Sequence, residues 1–258
     1  MNSHDTHTDH IDTDYIHPKL RDLVHSVGLI GWTRIIVGNW AILGAIILGL
    51  FIHLKSVANF DQAILNWVLT IRIDALTAFM KAVTHLFSPT VSVIEAVVLG
   101  LLIWAVSKSW RFGLFIPLVM AVSAVATSLV KLGIERVRPP IPQRLVVELS
   151  HSFPSGHTTA ASALAVSAAL LALHAWGVSS IDVGIADSRL SRNRRGRACL
   201  IWMLAISLVA LVATTRIYLA AHWTTDIIGG ALMGSGIALI LGLIAKMCVQ
   251  NRCFCWFD

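Results

Sequence analysis

Residues 199–226 of this chain read C-L-I-W-M-L-A-I-S-L-V-A-L-V-A-T-T-R-I-Y-L-A-A-H-W-T-T-D, an apolar run that ends in ionisable residues. As a helix, the stretch Cys199–Leu219 is long enough to cross about 30 Å of hydrocarbon. Arg216, His222 and Asp226 lie at or just beyond its end, where an ionisable side chain near lipid is costly. The sequence therefore predicts a membrane helix whose end carries a functional site.

The rest of the chain is also strongly apolar. Of its 258 residues, 56% are hydrophobic and 13% are charged, and the mean hydropathy is +0.76. This composition excludes a soluble globular protein of this size and indicates an integral membrane protein. We predict an all-α fold, a bundle of six transmembrane helices with interfacial helices on the extracytoplasmic side. The six predicted spans are Ile35–Leu54, Val91–Ser107, Phe112–Leu132, Thr158–Trp176, Cys199–Leu219 and Thr225–Met247.

These spans form one predicted membrane domain, residues 35–248, with no visible repeat or second domain. Residues 1–34 are polar and are interpreted as a disordered cytoplasmic tail with no cleavable signal. Residues 249–258 are a short cytoplasmic C-terminal tail. Residues 58–88 mix apolar and charged residues, which predicts one or two amphipathic helices at the outer interface. Such helices would serve either as a lip for lipid access or as cover for the bundle.

The basic residues orient the chain, because Lys and Arg favour cytoplasmic loops. With both termini inside, 12 of the 20 basic residues fall on the cytoplasmic side and 8 on the outside. The dense cluster R-L-S-R-N-R-R-G-R at 189–197 decides the assignment. The basic charge is thus explained by topology and lipid headgroups rather than by a nucleic-acid partner. We expect a multi-pass protein of the cell membrane.

This orientation brings three motifs to the extracytoplasmic face. They are K-L-G-I-E-R-V-R-P at 131–139, P-S-G-H at 154–157 and R-I-Y-L-A-A-H-W-T-T-D at 216–226. Each motif lies at the outer end of a predicted helix, so the three can meet in space. A set of fixed cations with two imidazoles suits an anion that is held and attacked, and phosphate is the obvious candidate.

The last motif pairs an imidazole with a carboxylate. His222 and Asp226 are four residues apart, which places them on one helical face. A carboxylate bonded to one ring nitrogen fixes the tautomer and leaves the other nitrogen free to act as a nucleophile. The alternative is a His–Asp pair that only fixes the start of the helix.

The second motif begins a helix. Ser155 is a favourable N-cap, Gly156 lets a ligand approach the backbone, and first-turn N–H groups attract anions. His157 could then act as a general acid towards the leaving oxygen.

Three cations complete the predicted site. Lys131, Arg138 and Arg216 would neutralise the oxygens of one phosphoryl group as charge develops on them. Individually, each could instead contact lipid headgroups. No metal-binding pattern accompanies them, so we expect the cations to replace a metal and no cofactor to be needed.

Together these residues resemble the type-2 phosphatidic acid phosphatase family of membrane lipid phosphatases. The family pattern is K-x6-R-P, then P-S-G-H, then S-R-x5-H-x3-D. It is matched by Lys131, Arg138 and Pro139, by Pro154, Ser155, Gly156 and His157, and by Arg216, His222 and Asp226. One departure is Thr215, which stands where the family has Ser; the hydroxyl remains, so we expect little loss.

The resemblance implies a division of roles. His222 would attack phosphorus to form a phosphohistidine, Asp226 would stabilise it, and His157 would protonate the leaving group. The phosphoryl oxygens would be held by Lys131, Arg138, Ser155, Gly156, His157 and Arg216.

The resemblance also implies a lipid phosphate or diphosphate as the substrate at the outer leaflet. Undecaprenyl diphosphate is favoured, with recycling of the cell-wall lipid carrier as the purpose. Phosphatidylglycerol phosphate and phosphatidate are alternatives that the motifs do not separate. A non-hydrolytic lipid-binding or transport protein, and transfer of the phosphoryl group to another acceptor, are further hypotheses. The sequence does not indicate the oligomeric state.

Two smaller features have open interpretations. Glu95 lies near the outer end of the second predicted span, where it could form a supporting ion pair with a site arginine. Gly230 and Gly234 form a small-xxx-small pair that suits either packing inside the bundle or dimerisation.

Overall fold

Helices make up nearly all of the described chain, in which no strand occurs. The computed structural model describes residues 18–176 and 189–250, with side chains placed for 31–176 and 193–243. These ranges contain α1 (Pro18–Phe51), α2 (Lys55–Thr70), α3 (Asp74–Leu86), α4 (Pro89–Ser107), α5 (Trp110–Ile134), α6 (Gly156–Ala175), α7 (Arg189–Tyr218) and α8 (Thr224–Gln250). A short 3-10 turn, Ile141–Gln143, lies in the loop between α5 and α6.

Six of these helices are long and apolar enough to cross a membrane, which confirms the predicted six-helix, all-α architecture. The spanning segments are Gly31–Phe51, Pro89–Ser107, Trp110–Ile134, Gly156–Ala175, Asn193–Tyr218 and Thr224–Leu243. Their ends differ from the predicted ones by a few residues, because hydropathy marks the apolar stretch and not the hydrogen-bonded helix.

The first helix is longer than its apolar part. α1 begins at Pro18, so residues 18–34, assigned from the sequence to the polar tail, continue the helix in the N-terminal direction. Proline is favourable at a first helical position, since its missing N–H would have no partner there. The remainder of the predicted tail, residues 1–17, lies outside the described residues, as do residues 251–258 of the C-terminal tail.

The amphipathic segment at 58–88 forms two helices, α2 and α3, joined by residues 71–73. One face of each is buried against the end of α7, where Val68 and Met80 pack around Tyr218 and Leu219. The phenolic oxygen of Tyr218 accepts a hydrogen bond from the backbone nitrogen of Ile73, at 3.1 Å. The two helices therefore cover one end of the bundle.

Helix α6 lies at the centre of the bundle. Fourteen of its twenty residues are buried, among neighbours on α5, α7 and α8. Its many Ala, Ser and Thr residues allow those helices to approach closely, as small residues do in membrane proteins. The helix that begins at the P-S-G-H motif is thus held on most of its circumference.

The contact of α6 with α8 leaves no room for a side chain at two glycines. A Cβ atom at Gly234 would lie 2.2 Å from the carbonyl oxygen of Thr159 and 2.3 Å from Oγ of Ser162. One at Gly230 would lie 2.6 Å from the carbonyl oxygen of Ser155. The small-xxx-small pair therefore serves packing inside the bundle.

We expect Gly234→Ala to destabilise the protein, because its methyl group would push α8 away from α6. Overpacking of this kind costs about 1–3 kcal/mol. The matched control is Gly133→Ala on α5, where nothing lies within 4 Å of the added methyl group. The measurement is thermal unfolding of both purified variants in detergent. A midpoint for Gly234→Ala as high as that of Gly133→Ala would contradict the packing.

Candidate active site

The three sequence motifs meet at one end of the bundle. One backbone hydrogen bond joins the two ends of the loop between α5 and α6, and a second joins the start of α6 to the start of α8. Ser152 N donates to the carbonyl oxygen of Arg136 at 2.8 Å, and Ser155 N donates to that of Asp226 at 3.0 Å. The motifs therefore form one backbone framework before any side chain is considered.

The turn between α7 and α8 presents His222 to the interior. Ala220 adopts a left-handed conformation with φ of 50°, which reverses the chain after α7. The backbone nitrogens of Ala221 and His222 then donate to the carbonyl oxygen of Arg216, at 3.0 and 3.3 Å. His222 is only 2% exposed, so its imidazole works in a site from which bulk water is excluded.

The hydrogen bonds of His222 fix its tautomer. Nδ1 lies 3.4 Å from Oδ2 of Asp226, and Nε2 lies 3.1 Å from Nη1 of Arg138. A guanidinium can only donate, so Nε2 is the acceptor and Nδ1 carries the proton. The unshared pair of Nε2 thus points towards a cation, where a phosphoryl group would be drawn in.

Asp226 is fully buried and is held from several directions. Oδ2 also accepts from the backbone nitrogen of Trp223 at 2.9 Å and from the hydroxyl of Ser152. Oδ1 accepts from Nη1 of Arg136 at 2.5 Å. The carboxylate therefore cannot rotate away from the imidazole.

The three predicted cations are anchored by oxygen atoms. Arg138 donates to the carbonyl oxygens of Ser150 and Ala221, each at 2.7 Å. Arg216, with 1% exposure, donates to Oγ1 of Thr84 at 2.6 Å, and Lys131 donates to the carbonyl oxygen of His151. Their charged ends are thereby fixed in place.

One carboxylate lies between two of these cations. Glu148 accepts from Nη2 of Arg216 through Oε1, and its Oε2 is 3.8 Å from Nη2 of Arg138. This is the position that a phosphoryl group would take if both guanidinium groups held its oxygens. Glu148 is partly exposed, whereas the residues beside it, Val147 and Leu149, are almost fully exposed.

The start of α6 is built as the sequence predicts. Ser155 is the N-cap, and its hydroxyl oxygen accepts from the backbone nitrogen of Thr158 at 3.5 Å. No atom lies within 4 Å of a Cβ placed at Gly156, so there is open space beside this backbone. His157 is buried, and Lys131 and Arg216 are among the charged groups that act on it electrostatically.

Burial and charge keep the imidazole of His222 neutral. Desolvation is the main cause and lowers the pKa of His222 to about 3; the hydrogen bond and charge of Asp226 oppose this, while Arg138 and Arg216 reinforce it. The pKa of Arg138 is also lowered by burial, with Glu148 and Asp226 opposing. An arginine remains charged under such shifts, so the site pairs a neutral nucleophile with cations.

All eight predicted site residues lie in this region. Some are joined by direct hydrogen bonds, and the others interact electrostatically or form the adjoining backbone. Arg138, His222 and Asp226 are joined by direct hydrogen bonds. His157, Lys131 and Arg216 interact electrostatically with one another, and His157 and Arg216 also interact with His222. Ser155 and Gly156 form the adjoining helix start, and the backbone of Ser155 bonds to that of Asp226.

Other residues of the site were not identified from the sequence. Arg136 lies inside the first motif, but it is not one of the fixed positions of the K-x6-R-P pattern. Ser152 and Glu148 lie in the loop that follows this motif. Asp61, 1% exposed, comes from α2 and binds Arg136 at 2.6 Å. Only the charge of Asp61 on an otherwise apolar helical face could have signalled its burial.

Glu95 does not have the role suggested for it. Among the described residues it forms no ion pair with a site arginine, and its Oε2 is buried without a hydrogen-bond partner. The supporting carboxylates are Glu148 and Asp61, because the loop and α2 reach the arginines and α4 does not. Thr215 is buried and its hydroxyl donates to the carbonyl oxygen of Val212 at 2.7 Å, a bond that a serine could also make.

A cavity of about 250 Å³ adjoins the cations. Lys131, Ser150 and Gly156 line it near the site, and Met120, about three helical turns before Lys131 on α5, lines it deeper in the bundle. In the part of the chain with placed side chains, no group of three or more His, Cys, Asp or Glu residues could hold a metal ion.

Comparisons with known proteins identify the family of this chain. The model of the PAP2 superfamily matches residues 112–250. Phosphatidylglycerophosphatase B of Bacillus subtilis (strain 168) is 32% identical over 190 residues, which are 73% of this chain and 85% of that protein. The crystal structure of the first transmembrane PAP2 type phosphatidylglycerolphosphate phosphatase from Bacillus subtilis aligns with a TM-score of 0.68 and 27% identity, covering 84% of this chain and 98% of that one.

We expect Glu148→Gln to strengthen the binding of inorganic phosphate or vanadate. The glutamine no longer competes as an anion for Arg138 and Arg216, so the inhibition constant should fall by about tenfold, or about 1.4 kcal/mol. The matched control is Glu135→Gln, an exposed carboxylate in the same loop. The measurement is inhibition of phosphate release by each anion. An unchanged or weaker inhibition would show that Glu148 does not occupy the anion position.

Proposed function

The chain belongs to the PAP2 superfamily and is a membrane lipid phosphatase, and we propose that it hydrolyses a lipid phosphate monoester of the phosphatidylglycerophosphate kind through a phosphohistidine at His222. The observation that carries this proposal is the fixed tautomer of His222. Its unshared pair on Nε2 faces Arg138, while Nδ1–H faces Asp226. A nucleophile, its orienting carboxylate and an anion-binding cation are thus in contact.

In the first step, Nε2 of His222 attacks phosphorus and the P–N bond forms as the ester P–O bond breaks. Lys131, Arg138, Arg216 and the helix start at Gly156 neutralise the phosphoryl oxygens. His157, protonated once the negative charge of the bound phosphoryl group lies beside it, gives its proton to the departing alcohol. Asp226 stabilises the positive charge that develops on His222.

In the second step, water attacks phosphorus and the P–N bond breaks. His157, now neutral, takes a proton from the water, and inorganic phosphate leaves. Both histidines return to their starting states, so the sum is one ester and one water converted to one alcohol and one phosphate. Nothing in this sequence of steps needs a metal ion.

One observation favours a lipid monophosphate over the undecaprenyl diphosphate preferred on sequence grounds: the similarity to phosphatidylglycerophosphatase B. The cavity beside Lys131 leads along α5, a suitable path for the glycerol and the first part of the acyl chains.

The substrate prediction is tested by phosphate release from purified protein in detergent with EDTA. We expect phosphatidylglycerol phosphate and phosphatidate to be hydrolysed faster than undecaprenyl diphosphate. His222→Ala should reduce the rate by at least about 1,000-fold, because the nucleophile is lost. His157→Ala should reduce it by about 100-fold, as expected for a general acid.

Three outcomes would count against the proposal. Activity retained in His222→Ala would remove the nucleophile, and activity abolished by EDTA would point to metal chemistry. Faster hydrolysis of the diphosphate would instead support undecaprenyl diphosphate, the substrate favoured in the sequence analysis.

We also propose that both termini are cytoplasmic and that the site faces outward. The basic cluster at 189–197 supports this orientation. Alkaline phosphatase fused after Asp258 should be inactive, and the same reporter fused after Gln143, in the loop before α6, should be active. The reverse pattern would invert the topology.

A further inference from the structure

A buried chain of ions connects α2 to the proposed nucleophile. Arg136 donates through Nη2 to Oδ2 of Asp61 at 2.6 Å and through Nη1 to Oδ1 of Asp226 at 2.5 Å. The exposed fractions are 1% for Asp61, 7% for Arg136 and 0% for Asp226. One guanidinium therefore bridges two carboxylates in a site that excludes water, and the second carboxylate contacts His222.

Thr225 makes the bridge continuous with the start of α8. Its backbone nitrogen donates to Oδ1 of Asp61 at 3.0 Å, and its hydroxyl donates to Oδ2 of Asp61 at 2.6 Å. The same hydroxyl accepts from Nη1 of Arg136 at 2.7 Å. Asp61 thus satisfies a first-turn N–H group of α8, where a negative charge is favourable, immediately before Asp226.

The charges in this chain of ions determine how well Asp226 can stabilise a positive charge on His222. Asp61, Arg136 and Asp226 together carry one net negative charge, which faces His222. Without Asp61, Arg136 and Asp226 would form a neutral pair, with the carboxylate committed to the guanidinium. A neutral pair would stabilise the cationic imidazole of the phosphorylated state less well than a net anion.

We propose that Asp61 and Arg136 are positioning residues for catalysis: Arg136 orients the carboxylate of Asp226, and Asp61 balances Arg136 so that the charge of Asp226 remains available to His222. This inference rests on the proposed phosphohistidine mechanism. It gives α2 a role in the chemistry, although no residue of α2 belongs to the three motifs.

A purely structural role for the same contacts has different consequences. If Asp61 only anchored α2, its shape and hydrogen bonds would matter and its charge would not. Asn keeps the shape without the charge, and Glu keeps the charge with a longer side chain. If charge is decisive, Asp61→Glu retains more activity than Asp61→Asn; if anchoring alone is decisive, the order is reversed.

The experiment uses the full chain, purified in detergent, with phosphatidate as the probe substrate. We expect Asp61→Asn to lower kcat by about 10- to 100-fold, the range found when outer hydrogen-bond partners of metal-binding histidines are removed. KM should change by less than about threefold, because neither residue contacts the substrate. The matched control is Asp74→Asn, an exposed acid at the start of α3, which should match wild type.

The double variant Asp61→Asn/Arg136→Gln provides the decisive comparison. It removes one charge of each sign and restores the net negative charge next to His222. We expect its kcat to exceed that of Asp61→Asn by at least about fivefold, a non-additivity that direct coupling produces. If Asp61→Asn does not fold, Arg136→Gln replaces it, because that variant leaves two carboxylates without their cation and should also be slower than the double variant.

A kcat for Asp61→Asn within twofold of wild type would overturn the inference. The inference would also be overturned if the double variant were no faster than the single variants and Asp61→Asn were more active than Asp61→Glu. Either result leaves the proposed function intact if wild type is active and His222→Ala is not. Absence of phosphatase activity in wild type would instead refute the proposed function itself.

Discussion

Charge buried at the end of an apolar bundle has to be paired, and the site of this protein follows from that requirement. Water does not solvate Arg136, Arg138 or Arg216, so each guanidinium is held by carbonyl or carboxylate oxygens. The partners come from α2, from the loop between α5 and α6, and from the start of α8. Pairing the buried guanidinium groups with these oxygen atoms brings together segments that are far apart in sequence. The same contacts orient the imidazole of His222.

Much of this arrangement could be predicted from the sequence because its signals are local. Apolar runs of sufficient length predict membrane helices, and six were confirmed. The spacing of His222 and Asp226 predicts one helical face. The pair is in contact at 3.4 Å, but His222 lies in the turn before α8, which begins at Thr224. Ser155 before a helix predicts an N-cap, and it is one. The resemblance to the type-2 phosphatidic acid phosphatase family was likewise confirmed by the match of the PAP2 superfamily.

The remaining features depend on tertiary contacts that no local pattern encodes. In the sequence, Asp61 looks like any other charged residue of an amphipathic helix. It is buried because it binds Arg136, which is 75 residues away in sequence. Glu148 lies in an irregular loop, whose path is set by Arg138 and Arg216 rather than by periodicity. The ion pair left open for Glu95 is not formed in the described part of the chain, because depth in the membrane does not determine which neighbour a side chain reaches. The start of α1 was missed because helices continue beyond their apolar part.

The backbone contact of α6 with α8 has a consequence for how the protein tolerates its surroundings. His157 begins one helix, His222 precedes the other, and the glycines at 230 and 234 let the two backbones touch. The two imidazoles are therefore mounted on one stiff unit. A tilt of α4, which carries no residue of the three motifs, would leave the spacing between the two rings unchanged, whereas a tilt of α7 would move Arg216. The arrangement of the two imidazoles is therefore independent of how α4 adapts to the thickness of the surrounding bilayer.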